Sequence, residues 1–256
     1  MDQATFAAEA KIESTHWWFV ERRRLFAALI RECGLPADAR VVDIGTGTGA
    51  NLRLLKQIGF TNVTGIDPSE DAARWCAEKG LGEVQAGDAR ALPLPDQSVD
   101  LVVATDVVEH VDDDQRAVAE IYRVLRPGGI VLFTVPAFPS LWGLQDEVSH
   151  HYRRYRMGPF LRMLDKARFQ VTSKFYFNYI LFLPIFLVRQ LIRALKIRLA
   201  SENEVNNPLL NFVLGIVFRL DVTTAPYFHP PFGVSILVLA RRPSEGADAK
   251  LRSVDT

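Results

Sequence analysis

Residues 40–51 read Arg-Val-Val-Asp-Ile-Gly-Thr-Gly-Thr-Gly-Ala-Asn, and this stretch leaves the chain few ways to fold. A β-branched run ends in Asp43, glycines stand at Gly45, Gly47 and Gly49, and apolar residues at helical spacing (Leu52, Leu54, Leu55, Ile58) follow. Strand, glycine turn and helix in that order bring backbone close to a ligand. Glycine takes positive φ without a Cβ penalty, and the helix start offers unpaired N–H groups. The acidic Asp43 just before the turn suits a ligand carrying positive charge or donors better than a pyrophosphate.

The same rhythm continues. Strand-like runs at 41–44, 62–66, 83–86, 99–104 and 130–135 alternate with helical runs at 50–58, 69–79 and 115–125, the last stopped by Pro127-Gly128-Gly129. That alternation predicts a doubly wound α/β fold, a parallel sheet with right-handed crossovers. Ligands of such sheets sit outside the carboxyl ends of the strands, where Gly45–Gly49, Asp67, Asp88 and Thr105-Asp106 fall. A helix at 159–167 and strands at 169–177 and 232–240 complete the reading. At 256 residues the chain is long enough for one α/β core and an insertion. We divide it into an N-terminal helical cap (1–36), a core (37–177 and 232–242), an apolar helical insertion (178–231) and a polar tail (243–256) expected to be disordered. The cap carries helical runs at 6–12 and 18–33. Between them, His16-Trp17-Trp18-Phe19 reads equally as a packing seam or as cleft lining.

Lys+Arg and Asp+Glu both total 30, a zero balance that argues against a general nucleic-acid binder. Two cysteines, Cys33 and Cys76, make no disulfide scaffold and fit a reducing compartment. The opening Met-Asp-Gln-Ala-Thr-Phe has no basic region before an apolar core, so no secretory signal is expected, and the expected location is cytoplasmic, peripheral on the inner face of the membrane.

Asp43-x-Gly45-x-Gly47-x-Gly49 resembles the nucleotide loop of class I S-adenosylmethionine-dependent methyltransferases. Further marks of that family follow in register: Asp67 ending the second strand, Gly87-Asp88-Ala89 after the third, Asp-Leu-Val-Val-Ala-Thr-Asp-Val-Val-Glu-His from Asp100, and Leu125-Arg-Pro-Gly-Gly before the fifth. The resemblance covers residues 41–135 and, more loosely, the flanks. It implies a Rossmann-like methyltransferase fold, a seven-stranded, mostly parallel sheet whose last strand is antiparallel, and S-adenosyl-L-methionine as cofactor. It also implies the residues that hold the cofactor: Asp43, Gly45, Thr46, Gly47, Gly49, Asp67, Pro68, Asp88, Ala89 and Thr105. Asp67 would accept both ribose hydroxyls, Asp88 the adenine amine beside the Ala89 N–H, and Asp43 would help fix the loop and the methionine ammonium. Taken singly, Asp67 is also a favourable helix-start residue beside Pro68, and Asp88 a turn residue. Gly45-x-Gly47-x-x-Ala50 with Asp67 also satisfies the looser dinucleotide fingerprint, so an NAD(P)-dependent oxidoreductase is an alternative. Gly49, Asp43 and the lack of a Tyr/Lys or Cys/His arrangement for hydride transfer stand against it. A cofactor-binding, membrane-associated protein without turnover is the non-enzyme alternative.

Methyl transfer from a sulfonium is an in-line displacement in which the protein supplies orientation, and a hydroxyl acceptor also needs its proton removed. Two groups of residues on the ligand edge offer that chemistry: Asp106-Val-Val-Glu109-His110, and the loop with Asp146, Glu147, His150, His151, Tyr152, Arg153, Arg154 and Tyr155. Three readings stay open. His110, His150 or His151 acts as general base. A divalent metal joins Asp106, Glu109, His110 and a later histidine, similar to small-RNA and quinone O-methyltransferases with an E-x-x-E-H pattern, although no metal is assigned here. Or Glu109-His110 is a helix-start feature and the loop's charges hold a lid. Arg153 and Arg154 suit an anionic head group.

In the insertion, an apolar run at 179–188 leads to Arg189, Arg193 and Lys196 on one helical face, and a second apolar block spans 209–218. Each block is shorter than the ~20 residues that cross a bilayer. They read as a helix lying in a membrane interface or as a cap over the acceptor pocket. Their apolar character points to a small or lipid-like acceptor, such as a lipid, a quinone precursor or an isoprenoid-linked sugar, with O-methylation favoured. The expected partners are that acceptor and a membrane surface met through 178–220, with no nucleic acid.

Overall fold

The computed structural model describes residues 10–195 and 207–244. In chain order the elements are α1 (Trp17–Glu32), β1 (Arg40–Ile44), α2 (Ala50–Gln57), β2 (Asn62–Asp67), α3 (Glu70–Glu78), β3 (Val84–Ala86) and β4 (Val99–Thr105). They continue with α4 (Asp114–Val124), β5 (Leu125–Pro136), α5 (Leu144–Val148), α6 (Met157–Lys166), β6 (Gln170–Phe177), α7 (Phe182–Leu195), α8 (Pro208–Phe228) and β7 (Ser235–Arg241). One seven-stranded sheet has the order β3-β2-β1-β4-β5-β7-β6, parallel except that β7 runs antiparallel to both β5 and β6. The expected doubly wound sheet with an antiparallel last strand is therefore present.

The order reverses between β1 and β4, so the crevice of the switch point opens beside the Gly45–Gly49 turn. Near-continuous apolar strands follow from burial on both faces. Val42, Val102, Val131 and Phe133 face α4 and α6, which supply Val118, Ile121, Phe160 and Leu164. Val41, Leu101, Val103 and Leu132 face the other layer, built from α1 (Leu25, Phe26, Leu29, Ile30), α2 and the second half of α8 (Phe218, Val222, Ala225).

Two expectations about elements are corrected. The fifth strand begins at Leu125, not after Pro127-Gly128-Gly129. Leu125 pairs with Val99 before the register shifts at Val99/Leu101, and Gly128, at φ +82, absorbs the irregularity. Arg242 holds it by donating to the carbonyls of Tyr122, Arg123 and Leu125. The second apolar block lies within a helix of 21 residues, the one helix among the described residues long and apolar enough to cross a bilayer by length and composition. It is tied to the protein nonetheless: Arg219 pairs with Glu21 of α1 at 3.0 Å, and buried Asp221 accepts from the Asn178 and Ile180 N–H groups. The first apolar run is α7 only from Phe182, and Lys196 and the polar tail from 245 onward lie outside the described residues.

The described basic residues of α7 lie along the loop after β5, with Arg193 still exposed. Arg193 donates to the Trp142 carbonyl at 2.6 Å, and Arg189 donates to the Leu141 carbonyl. The apolar face is consequently outside, with Leu183, Leu187, Val188, Leu191 and Leu195 each more than half exposed (55–62%). α8 adds exposed Leu209, Phe212, Ile216 and Leu220.

Candidate functional site

A cavity of about 850 Å³ opens over the carboxyl ends of β1, β2 and β4. Its floor is the glycine turn. Gly45 (φ +70) and Gly47 (φ +53) let the chain reverse; a Cβ on Gly45 would stand 2.7 Å from Val107. The Gly47 N–H donates to one oxygen of Asp67 at 2.9 Å and the Ser69 N–H to the other at 2.8 Å. Asp67 thus ties the turn to the start of α3 while lining the cavity with Pro68. Thr46 and Ala89 line it as well. Thr105 lies there too, its hydroxyl accepting from Asn51 Nδ2 at 2.9 Å.

Two expected cofactor residues sit behind the lining. Asp43 is wholly buried. Asn51 Nδ2 donates to its Oδ1 at 3.0 Å, and Oδ2 has no partner among the described residues. Burial, against the Asn51 hydrogen bond, pushes its carboxyl up to about 7, and the Asp67 charge adds to the rise. Gly49, at φ +85, faces Leu81 and Cys76; a Cβ there would lie 2.6 Å and 2.8 Å from them. Its freedom serves the packing of α2 on α3, so direct ligand contact by Gly49 is a correction to the expectation. Asp88 faces the cavity, but Arg90 engages its carboxylate through Nε at 3.0 Å and bridges on to Asp112 at 2.7 Å. The Arg90 hydrogen bond holds the Asp88 carboxyl below its ordinary range.

The opposite wall carries the histidines. Asp106, left-handed at φ +54, is ion-paired with Arg22 of α1 and accepts from Thr134 Oγ1 at 3.0 Å. The Arg22 guanidinium lies 4.9 Å from the Trp18 ring centre. Trp18 stacks on Phe218 at 5.0 Å and lines the cavity, so the aromatic run is both seam and lining. The 3-10 turn Val108–His110 follows. Glu109 is fully buried, neither of its carboxylate oxygens has a partner outside its own residue, and burial followed by the Asp106 charge pushes its carboxyl well above the usual range. Burial, then neighbouring His151, pulls His110 down to about 4, which keeps it neutral near pH 7. The two rings meet edge to face, 4.5 Å apart.

His151 Nδ1 is 2.8 Å from Asp146 Oδ1, leaving the lone pair on Nε2 when Nδ1 carries the proton. Burial opposes the charge on Asp146, but hydrogen bonds from His151 and Arg154 outweigh it and hold the carboxyl at about 2. His150 lines the same cavity but is solvent-exposed, with φ +56. The His110 and His151 rings are therefore brought together. Arg153 turns away from the cavity to Asp114 at 3.0 Å, and Arg154 is buried against Asp146 and the Ala137 carbonyl.

Arg22, Arg90 and the pairing of Asp146 with His151 were not legible from the motifs. The first two act across 84 and 22 residues of sequence. Asn51 had a local signal, a polar residue one helical position past Ala50, facing the strand-end aspartate.

Residues 42–133 match a family model described as a methyltransferase domain. The chain is 40% identical over 117 residues to 2-methyl-6-phytyl-1,4-hydroquinone methyltransferase 2, chloroplastic, of Oryza sativa subsp. japonica, covering 42% of this chain and 33% of that one. It is 35% identical over 132 residues to malonyl-[acyl-carrier protein] O-methyltransferase of Pectobacterium atrosepticum, covering 51% and 49%. The chain thus spans about a third to a half of the length of these relatives. Among solved structures, an S-adenosylmethionine-dependent methyltransferase from Mesorhizobium loti superposes with TM-score 0.54 at 20% identity, over 84% of this chain and 96% of that one. The [4+2]-cyclase SpnF superposes with TM-score 0.56 at 23% identity, over 86% and 80%. These likenesses show the fold; the cyclase shows that this fold also hosts other chemistry.

Proposed function

We propose that the chain is a class I S-adenosylmethionine-dependent methyltransferase, in line with the methyltransferase-domain match over residues 42–133, and that it methylates a small or lipid-like acceptor, on oxygen, in the cavity over the strand tips. The observation that carries this reading is the ring of acidic groups around one cavity: Asp67 and Asp88 in its lining, with buried Asp43, its Oδ2 unpartnered, directly beneath. Such a wall is complementary to a ligand with sulfonium and ammonium charges and ill-suited to the pyrophosphate of a dinucleotide.

The cofactor, when bound, supplies an activated methyl group on sulfur. The chain's own residues do the rest. Asp67 and Pro68 are placed for the ribose, and Asp88 and Ala89 for the adenine. The Gly45–Gly47 turn lets backbone approach closely, and Arg22, whose buried Nε has no partner among the described residues, carries the countercharge for a carboxylate. Asp43 contributes its field from behind the turn. On the opposite wall, neutral His110 presents a lone pair that draws the proton from an acceptor hydroxyl, and His151, fixed by Asp146, stands beside it as a second candidate base.

A lipid-like acceptor follows from the apolar exterior of α7 and α8, which flank the cavity through Ile185 and Leu214. We read that exterior as a peripheral membrane contact, with α8 lying on the surface, because Arg219 and Asp221 anchor it to the protein. The relatives' printed names, one for a 2-methyl-6-phytyl-1,4-hydroquinone methyltransferase and one for a malonyl-[acyl-carrier protein] O-methyltransferase, support a small or lipid-like acceptor.

Incubating the protein with methyl-labelled cofactor and a lipid extract tests the reading. Label should enter an extractable lipid, and His110→Ala or His151→Ala should lower the rate about 10²- to 10⁴-fold with S-adenosylhomocysteine affinity retained. Cofactor binding without transfer to any extract would favour the non-enzyme alternative.

A further inference from the structure

We propose that Asn178, at the tip of β6, is a specificity-determining residue whose side-chain amide hydrogen-bonds an uncharged hydroxyl of the acceptor, distinct from the hydroxyl that is methylated. The inference rests on the proposed function and narrows the acceptor's class to an apolar body that carries at least one further hydroxyl.

Asn178 lines the cavity, yet only 1% of it is exposed, and its Oδ1 has no hydrogen-bond partner among the described residues. Buried polar atoms are ordinarily hydrogen-bonded, and one left unpaired is costly. The terminal torsion of asparagine is broad, so a small rotation turns either end of the amide toward the cavity.

The backbone that carries this amide is fixed. The Asn178 N–H donates to Asp221 Oδ1 of α8 at 2.6 Å, and its carbonyl accepts from the Val234 N–H at 3.3 Å. A Cβ on Gly233 would stand 2.4 Å from the Phe177 carbonyl oxygen, so the two segments are already in close contact. At φ +57 the residue is left-handed, a conformation that glycine adopts more readily than asparagine. Conformation alone therefore does not account for the side chain: glycine would serve it and leave no buried amide to satisfy.

The surroundings indicate what the amide meets. In the order β4-β5-β7-β6, Asn178 stands three strands beyond β4, away from the tips that carry Asp67 and Asp88. Ser235, buried and paired with Phe177 and Pro136 at the strand ends, is its polar neighbour in the lining. The lining from the adjoining elements is otherwise mostly apolar, with Pro136 of β5, Ile185 of α7, Leu214 of α8 and Val234 before β7. None of the described lining residues from these elements is acidic, so a cation finds no countercharge, and Arg189, the cation they supply, already faces Asp146 at 3.9 Å. An amide is uncharged and can both accept from and donate to a hydroxyl. The methylated hydroxyl belongs at His110 and His151, which follow β4 and β5, so the amide after β6 reaches a different group.

The test measures label transfer from methyl-labelled S-adenosylmethionine to a total lipid extract as the amount of extract is varied, and then treats the purified labelled product with acetic anhydride. The wild-type product should take up at least one base-labile acetyl group, the mark of a remaining hydroxyl. Asn178→Gly, which accepts φ +57, and Asn178→Ala should each raise the apparent KM for the extract at least about tenfold, with kcat within about threefold and S-adenosylhomocysteine affinity within about twofold of wild type. The urea midpoint of Asn178→Gly should stay at or above that of wild type, whereas a purely structural amide would lower it. A labelled product that takes up no acetyl group, variants with the wild-type KM, or a lowered midpoint in Asn178→Gly would overturn the inference and leave methyl transfer standing. If wild type transfers no label to the extract, the functional reading fails and the inference fails with it.

Discussion

At the scale of single residues, Asp43 shows how burial moves a carboxyl into the range where a bound cation would shift its protonation. Its proton is retained up to about 7, so from the ordinary carboxylate range upward the folded protein holds a proton that the unfolded chain has lost. That contribution to stability is lost as pH rises through about 7. A cationic ligand favours the ionised form and expels the proton. The affinity for S-adenosylmethionine should therefore rise from about pH 6 to about pH 8, and the slope should vanish in Asp43→Asn. A pH-independent affinity in wild type would contradict this role. Gly49 gives a second prediction. Gly49→Ala meets Leu81 at 2.6 Å besides taking positive φ, whereas Gly34, at φ +65, has nothing within 4 Å. Gly34→Ala should cost about 1 kcal/mol from backbone strain, and Gly49→Ala about 3 kcal/mol once overpacking is added, as read by urea unfolding. Equal costs would show that Gly49 is not a packing residue. The motif marked both Asp43 and Gly49, but not that they lie behind the cavity: spacing along a chain does not say which side of a turn a residue faces.

At the scale of elements, alternation of strand and helix was enough to order β1 through β5 and to place their tips, because each parallel strand is a short apolar run closed by glycine or proline. It failed where tertiary contacts overrule local signals. The start of β5 is held through Pro127-Gly128-Gly129 by Arg242, more than a hundred residues away. The length of α8 was hidden because its second half, with Arg219, Asp221 and Pro226, breaks the apolar pattern while packing on α1 and β6. The polarity of α7 was legible as two faces, but not which face is outside; that depends on carbonyls of the loop after β5 accepting from Arg189 and Arg193. The exposed face gives a prediction. Leu187→Asp with Leu191→Asp should reduce co-sedimentation with anionic vesicles several-fold, since each replaces apolar area at the interface, and should change the unfolding free energy by less than about 0.5 kcal/mol per site. Undiminished vesicle binding would remove the membrane reading of α7.

At the scale of the whole molecule, the site is assembled from parts far apart in sequence: α1 brings Arg22 and Trp18, the strand tips bring the acidic groups, and the loop after β5 brings Asp146 and His151. The residues proposed to hold the cofactor could, Arg22 excepted, be nominated from the sequence because they lie within one contiguous motif region, 42–133. The acceptor half was legible only as a list of candidates; the fold brings the His110 and His151 rings together and holds His151 on Asp146. The central claim is that the acidic crevice holds an adenosyl amino acid and not a dinucleotide. Calorimetry of the full chain with S-adenosylhomocysteine and, separately, with NAD tests it most directly. The account predicts one-to-one binding of S-adenosylhomocysteine, weakened about tenfold or more by Asp67→Ala, and no heat with NAD. Binding of NAD in its place, or no binding of S-adenosylhomocysteine, would contradict it.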